Sequence, residues 1–340
     1  MIVKAEQLKQ VVDILDLVPS KSGVPSSNLI AVSILKEGIR MRLGAGDVWA
    51  EAHIGKPGKD VEFVSVNRNA LIVFARAGTD DDYDIALRKE SILITQGKRK
   101  ANLQLSDAGA SSGSDEQRDG KIETIPLNDD LRDAIVCARL CASEDLVLPE
   151  INCIWIEAGK KTKIFSSNDA ALCFANCDTE WKDGTAFPLP LVDAIAKLKV
   201  DTVIRRDRIF GIRMERGSLW AQAPDKAWDA FPADRVKNLV VAARKAVGGF
   251  EIQTAAFAAM LDTFGGYLAG GSKSDAELKL SGAKGKSLNI GGKTLFAEFA
   301  DIADADVSAP VALALGLPDL SRVMGFLKGR SETVKVVPQG

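Results

Sequence analysis

The sequence predicts an α+β protein of three similar domains, each built from two strand–helix–three-strand units. Three observations lead there. The order of short strand, amphipathic helix and three strands recurs six times along the chain. Helical apolar spacing gives way to strand-like apolar runs at the same place in each unit. The 340 residues are 46% hydrophobic, which is enough material for two or three separate cores.

Residues 1–54 open with a short strand and the helix AEQLKQVVDILDLV, whose Leu8, Val11, Val12, Leu15 and Leu17 form the apolar side. LIAVSIL, IRMRLG and VWAEAHI follow as strands. Residues 61–106 repeat the order with FVSV, the helix NRNALIVFARAG ending at Gly78, then DYDIALR, SILITQG and KANLQL. Residues 121–176 give IETIPL, DDLRDAIVCARLCA, INCIWIE, KTKIFS and ALCFAN. Residues 185–224 give TAFPLP, LVDAIAKL, TVIRR, IFGIRME and SLWAQAP. A fifth unit runs from FEI through the helix TAAFAAMLDTFGGYL to AELKL, SLNI and TLFAEF. A sixth has VALALG, PDLSRVMGFLKG and ETVKVV, and is two strands short.

One such unit cannot bury both its helix and its sheet. Two can pair their helices on one side and join their sheets on the other. Six units therefore give three domains, expected at residues 1–115, 116–240 and 249–340. The first break falls in the loop-like DAGASSGSDEQRDG of residues 107–120, and the second near residues 233–249, where VKNLVVAARKAV reads as a short helix.

Charge is nearly balanced, 44 Lys and Arg against 46 Asp and Glu, so the chain will not coat nucleic acid non-specifically. No apolar run approaches the roughly 20 residues of a membrane span, and the mixed-charge N-terminus is no secretory signal. The five cysteines, Cys137, Cys141, Cys153, Cys173 and Cys177, match no zinc spacing. Their odd count argues against a disulfide framework, leaving reduced core thiols in a cytoplasmic protein. The single histidine, His53, removes most histidine-based catalysis and metal binding.

One stretch stands out. In ILITQGKRKANLQL, Ile92, Ile94, Ala101, Leu103 and Leu105 alternate as in a hairpin with one buried face. Lys98, Arg99 and Lys100 crowd its turn at Gly97. Either the turn is simply solvated, or it touches a polyanion.

With these residues in view, the chain resembles the bacterial-type DNA sliding clamps, the beta subunits of DNA polymerase III. The family's first helix runs into a loop with a basic residue, Pro and Asn before an apolar strand; SKSGVPSSNLIAV supplies Lys21, Pro25 and Asn28. VFARAG, with Arg76, matches the end of the second helix, and QGKRKANLQL matches the basic hairpin. AWDAFPADRVKNLV closes the fourth unit with Phe231 and Pro232 in the family's places. Two features depart. SSNDAAL keeps only Leu172 of a family segment that carries an Arg, and the family's C-terminal strand is missing. Such divergence suits a phage-encoded or otherwise remote homologue.

The resemblance implies a ring of two subunits joined head to tail around double-stranded DNA. Helices would line the hole and sheets lie outside, with a replicative polymerase and a clamp loader as partners. It implies no catalysis, cofactor, metal or membrane. Phosphate contacts would hold the duplex without reading it. Lys21, Arg68, Arg76, Lys98, Arg99, Lys100, Arg132, Arg139, Lys197, Lys199 and Arg322 are the candidates, with Lys328 beside the last. Arg132 and Arg139 lie two helical turns apart on one face. Asp13, Asp133, Asp193 and Asp262 dilute the basic helices. Partner peptides would enter a groove lined by Ile151, Leu172, Pro232 and Val236. Ala101, Leu103 and Leu105 would form an edge strand for the subunit interface.

Other readings stay open. One is a clamp-like scaffold that does not encircle DNA. Another is a metal-dependent nuclease using DDDYD (80–84) and DIADAD (301–306), although both runs fall in turns and no base accompanies them. GAKGKS lacks the first glycine of a phosphate loop and precedes a strand, and GGYLAGG reads as a helix end.

Overall fold

The computed structural model describes residues 1–20, 25–56, 62–106, 122–144, 152–168, 172–198, 200–224, 233–245, 249–267, 277–285, 287–293, 298–303, 305–308 and 311–336. Two bodies result, Met1–Ala230 and Phe231–Gly340.

In the first body, unit one holds β1 (Ile2–Val3), α1 (Ala5–Asp16), β2 (Leu29–Leu35), β3 (Gly38–Ala45) and β4 (Val48–Gly55). Unit two holds β5 (Val64–Asn67), α2 (Arg68–Arg76), β6 (Tyr83–Leu87), β7 (Ser91–Gln96) and β8 (Arg99–Ser106). Unit three has β9 (Glu123–Pro126), α3 (Asp129–Arg139), β10 (Cys153–Glu157), β11 (Thr162–Ser167) and β12 (Leu172–Cys177). Unit four has β13 (Thr185–Pro188), α4 (Leu189–Leu198), β14 (Thr202–Arg206), β15 (Ile209–Met214) and β16 (Gly217–Gln222). The second body opens with α5 (Ala233–Lys245), β17 (Phe250–Gln253), α6 (Thr254–Tyr267), β18 (Glu277–Gly282), β19 (Leu288–Lys293) and β20 (Glu298–Ala303). It continues with β21 (Asp306–Val307), β22 (Val311–Gly316), α7 (Leu317–Leu327) and β23 (Thr333–Val336). The third strand of the fifth unit thus sits later than TLFAEF suggests, and the two-residue β21 is an addition.

Local chemistry sets these elements. Leu8, Val11, Val12 and Leu15 of α1 are fully buried, as its apolar spacing requires. Asn67 and Asn128 cap α2 and α3, each side-chain oxygen accepting from a first-turn N–H, that of Ala70 and Leu131. After α2 the chain must turn at Gly78, where a Cβ would stand 1.8 Å from the Tyr83 hydroxyl oxygen. In the second body Phe250, Phe257, Leu261, Phe264, Leu278, Leu280 and Met324 form the core.

The units pair by exchanging their first strands. β1 of unit one joins β6 of unit two, and β5 of unit two joins β2 of unit one. β9 joins β14 while β13 joins β10, and β17 joins β23 while β22 joins β18. In all three pairs each unit supplies a strand to its partner's sheet, and the helices pack as α1 with α2, α3 with α4, and α6 with α7. Each pair is thus locked by backbone hydrogen bonds as well as by helix packing. β4 also pairs with β16, so twelve strands run as one sheet through the first body, from β1 to β9.

Candidate nucleic-acid interface

The β7–β8 hairpin turns on two residues, Gly97 and Lys98, with Gly97 at φ +56°. Glycine adopts that conformation without cost. Ile92 and Ile94 are buried. Lys98 and Lys100 are exposed and have no ion-pair partner among the described residues. Arg99 behaves differently. Its Nη1 donates to Ala77 O at 2.6 Å and to Gln96 Oε1 at 3.3 Å, and its guanidinium lies 4.8 Å from the Phe74 ring centre. Arg99 therefore ties the hairpin to the end of α2.

Beneath the tip, Gln96 is only 2% exposed. Its Nε2 donates to Thr79 O and Asp81 O, and its Oε1 accepts from Thr79 N–H. Tyr83 donates to Ala75 O, and burial pushes its phenol up in pKa. These bonds fix the acidic turn at Asp80–Asp82 against the hairpin. Alternation alone gave no sign of Gln96's role; a polar residue on the buried face of β7 is the one signal that could have marked it.

The hydrogen-bond parity of β8 follows from the turn. Leu105 N–H donates to Glu90 O, on the β7 side. Odd-numbered residues of β8 therefore bond towards β7, and the backbone groups of Lys100, Asn102 and Gln104 point to the other edge. β5 pairs only with Leu105 and Ser106, leaving that edge open among the described residues. The expectation of an exposed apolar edge is corrected here. Leu103 is 8% exposed, and Ala101 and Leu105 are half-buried, because these side chains face the core. What the edge offers is peptide groups flanked by polar side chains.

Four helix arginines are engaged internally. Arg68, 4% exposed, donates from Nη2 to Val18 O at 2.6 Å and to Asp16 Oδ1 at 3.3 Å. It is corrected from a DNA contact to a buried tie between α2 and the end of α1. Arg76 pairs with Asp13 and Asp16, and the Asp13 hydrogen bond leads in raising its pKa. Arg132 pairs with Asp129 and Asp201 and donates to Val200 O. Arg139 pairs with Asp193 and Glu144; burial opposes its charge, and these hydrogen bonds outweigh burial and raise its pKa. The sequence showed both the basic residues and Asp13 and Asp193 on the helices, but not that they meet. Lys197, at the end of α4, is exposed and without an ion-pair partner among the described residues. Lys21 and Lys199 lie outside the described residues, as does the side chain of Arg322 in α7.

Of the expected groove residues, Leu172 begins β12 and is half-buried, while Val236 in α5 is buried. Ile151 and Pro232 lie outside the described residues. The first acidic run, 80–84, is taken up by local partners, and most of the second lies outside the described side chains. Asp80 pairs with Lys9, Asp84 with the N-terminal amine, and Asp81 accepts from Thr79 Oγ1. Among the described residues no group of three or more His, Cys, Asp or Glu side chains could hold a metal ion. Nor is any described helix long and apolar enough to cross a membrane. GAKGKS connects β18 to β19, so it is a hairpin loop.

No family model matches the sequence, and no curated protein matches it. Solved structures do. The beta sliding clamp of C. crescentus superposes with a TM-score of 0.74 at 14% identity, over 98% of this chain and 90% of that one. The DNA polymerase III subunit beta of Pseudomonas aeruginosa gives 0.74 at 13% identity, over 99% and 92%. The beta subunit of Thermotoga maritima gives 0.74 at 12%, over 98% and 90%. The chain has the fold of these sliding clamps along nearly its whole length.

Proposed function

We propose that the chain is the subunit of a DNA sliding clamp, two copies of which close head to tail into a ring around duplex DNA. The ring tethers a replicative polymerase and is placed on DNA by a clamp loader. The observation that carries this reading is the extent of the likeness, 98% of this chain against 90% of the C. crescentus clamp. A single clamp-like domain would not have required it. The open edge of β8 adds support, since an unpaired edge invites a strand from a second chain.

Holding a duplex without reading it calls for contacts to phosphates. Lys98, Lys100 and Lys197 suit that task because no carboxylate among the described residues neutralises them. Arg76, Arg132 and Arg139 enter it already paired, so their field at a phosphate is weakened. This ring holds DNA by topology, with few direct charges. The groove expected around Leu172 and Val236 would receive an apolar peptide anchor of the polymerase. The nuclease alternative is disfavoured, because Lys9 and the N-terminal amine take up carboxylates of the first acidic run.

Imaging of particles in solution, paired with mass determination, tests the reading. A ring with a central hole at twice the chain mass is expected. A monomer at every accessible concentration would overturn it.

A further inference from the structure

Five cysteines lie within residues 137–177. Cys141, Cys153 and Cys177 are buried, whereas Cys137 and Cys173 are half-buried. The two that solvent reaches lie against each other, with the buried Cys141 also hydrogen-bonded to Cys173. Cys137 Sγ of α3 and Cys173 Sγ of β12 lie 3.8 Å apart, although 36 residues separate them in sequence. α3 is otherwise held to the same sheet by Ser166 Oγ donating to Ala138 O and by Cys177 Sγ donating to Asp130 O. The sulfur pair sits where a helix already rests on two strands.

We propose that Cys137 and Cys173 form a modification site, a dithiol that a small disulfide such as oxidised glutathione converts into an intramolecular disulfide joining α3 to β12. A bonded pair needs the sulfurs at about 2.05 Å, so they approach by roughly 2 Å, a distance within the reach of side-chain rotation. The thiolate of one cysteine attacks a sulfur of the small disulfide. That S–S bond breaks, and one glutathione leaves as thiolate. The second cysteine attacks the resulting mixed disulfide and releases the other glutathione. Two electrons pass from the protein to the small disulfide, and the two cysteine protons end on the two glutathione thiols.

Cys173 is held as the thiol. Hydrogen bonds with Cys137 and Cys141, and burial, push its thiol up. Either thiol can take the first glutathione, and the other, 3.8 Å away, closes the bond. The bridge would pin the start of β12, which carries Leu172, so its formation changes the stiffness of that strand.

The reduced full-length chain is incubated with excess oxidised glutathione, blocked with an alkylating agent, digested and examined by mass spectrometry. The expected product links the peptides holding Cys137 and Cys173, has lost the mass of two hydrogen atoms, and carries no glutathione. Its thermal midpoint rises, since a cross-link restricts the unfolded chain, and reductant reverses both changes. In Cys173→Ser glutathione should stay on Cys137, or in Cys137→Ser on Cys173. A link through Cys141, glutathione retained on the parent chain, or no adduct on either single variant each overturns the proposal. None of these outcomes depends on ring formation, so the two readings stand or fall separately.

Discussion

Arg76, in the last turn of α2, donates from Nη2 to Asp13 Oδ1 of α1 at 2.9 Å. The second helix pair repeats the arrangement, with Arg139 Nε of α3 donating to Asp193 Oδ1 of α4 at 2.8 Å. In each pair a last-turn arginine crosses to an aspartate of the neighbouring helix. The cation lies in the last helical turn, where the helix dipole favours it, and its carboxylate partner ties the two helices together. The helix surfaces are consequently closer to neutral than a count of their arginines implies.

Arg68 is the extreme case, and its replacement separates structural from binding roles. Arg68→Ala strips the donor from the Val18 carbonyl and leaves a void between α2 and α1. The expected loss is about 2–3 kcal/mol of unfolding free energy, for a buried hydrogen bond to a charged group with its packing. Denaturant titration measures it. The salt dependence of DNA association should stay at the parent slope. A stable variant with a changed slope would return Arg68 to the DNA-contacting set.

The β4–β16 seam makes a second prediction of stability. Gly217 faces Ala52 across the seam, and a Cβ there would stand 2.2 Å from Glu51 O and 2.9 Å from Ala52 Cα. Both atoms belong to backbone that cannot yield without parting the strands. Gly217→Ala should cost about 1–3 kcal/mol. Gly325 in α7 has open space where a Cβ would stand, with nothing within 4 Å, so Gly325→Ala should instead gain about 0.5–1 kcal/mol through helix propensity. Equal signs for the two in thermal unfolding would contradict this account.

The helices of the six units and most strands were legible in the sequence because each rests on local spacing. Leu8, Val11, Val12 and Leu15 announce α1 without any distant partner. What was not legible is pairing over distance. That β1 serves the sheet of β6, and β9 the sheet of β14, is decided by strands of two to four residues whose composition names no partner. Arg76 meets Asp13 across 63 residues, and Arg139 meets Asp193 across 54. Spacing rules see three or four residues, so these arginines read as free to meet phosphates. The hairpin fared better: Gly97 fixed the turn, and the turn fixed which backbone groups of β8 face outward.

That parity yields a selective test of assembly. Asn102 directs its N–H to the open edge, so Asn102→Pro removes an edge donor while sparing the ladder to β7. Two interfaces in a closed dimer would each lose about 1 kcal/mol, weakening the dimer by about 30-fold. Sedimentation over a concentration series should show that shift with the folded signal retained. A dimer of parent strength would move the interface away from β8.

Leu172 tests the partner groove. Leu172→Asp places a carboxylate without a partner on a half-buried apolar position at the strand start. Binding of a peptide with an apolar anchor, taken from the tail of the cognate polymerase, should weaken by at least about tenfold, read by fluorescence anisotropy. Circular dichroism should be unchanged, since the position is not fully buried. Parent-like binding would place the partner site elsewhere.

The hairpin tip separates its own three cations. Lys98 and Lys100 are exposed and unpaired among the described residues, while Arg99 is bonded to Ala77 O and lies over Phe74. If a duplex passes this tip, the lysines meet phosphates as point charges. Replacing both by Ala should lower the log–log slope of association against salt by about 0.9 for each lost contact, about 3.6 if both lysines of both subunits meet phosphates. The loss should be the same on any DNA sequence, because no base edge is read. Unfolding free energy should change by no more than a few tenths of a kcal/mol, as for exposed turn charges generally. Arg99→Ala should show the reverse pattern. It frees the Ala77 carbonyl and uncovers Phe74, so stability falls by about 1 kcal/mol and the slope barely moves. A solvated turn with no duplex beside it predicts a parent slope for the double lysine variant. That outcome would leave Lys197 and Lys328 as the described lysines on which DNA contact has to be sought.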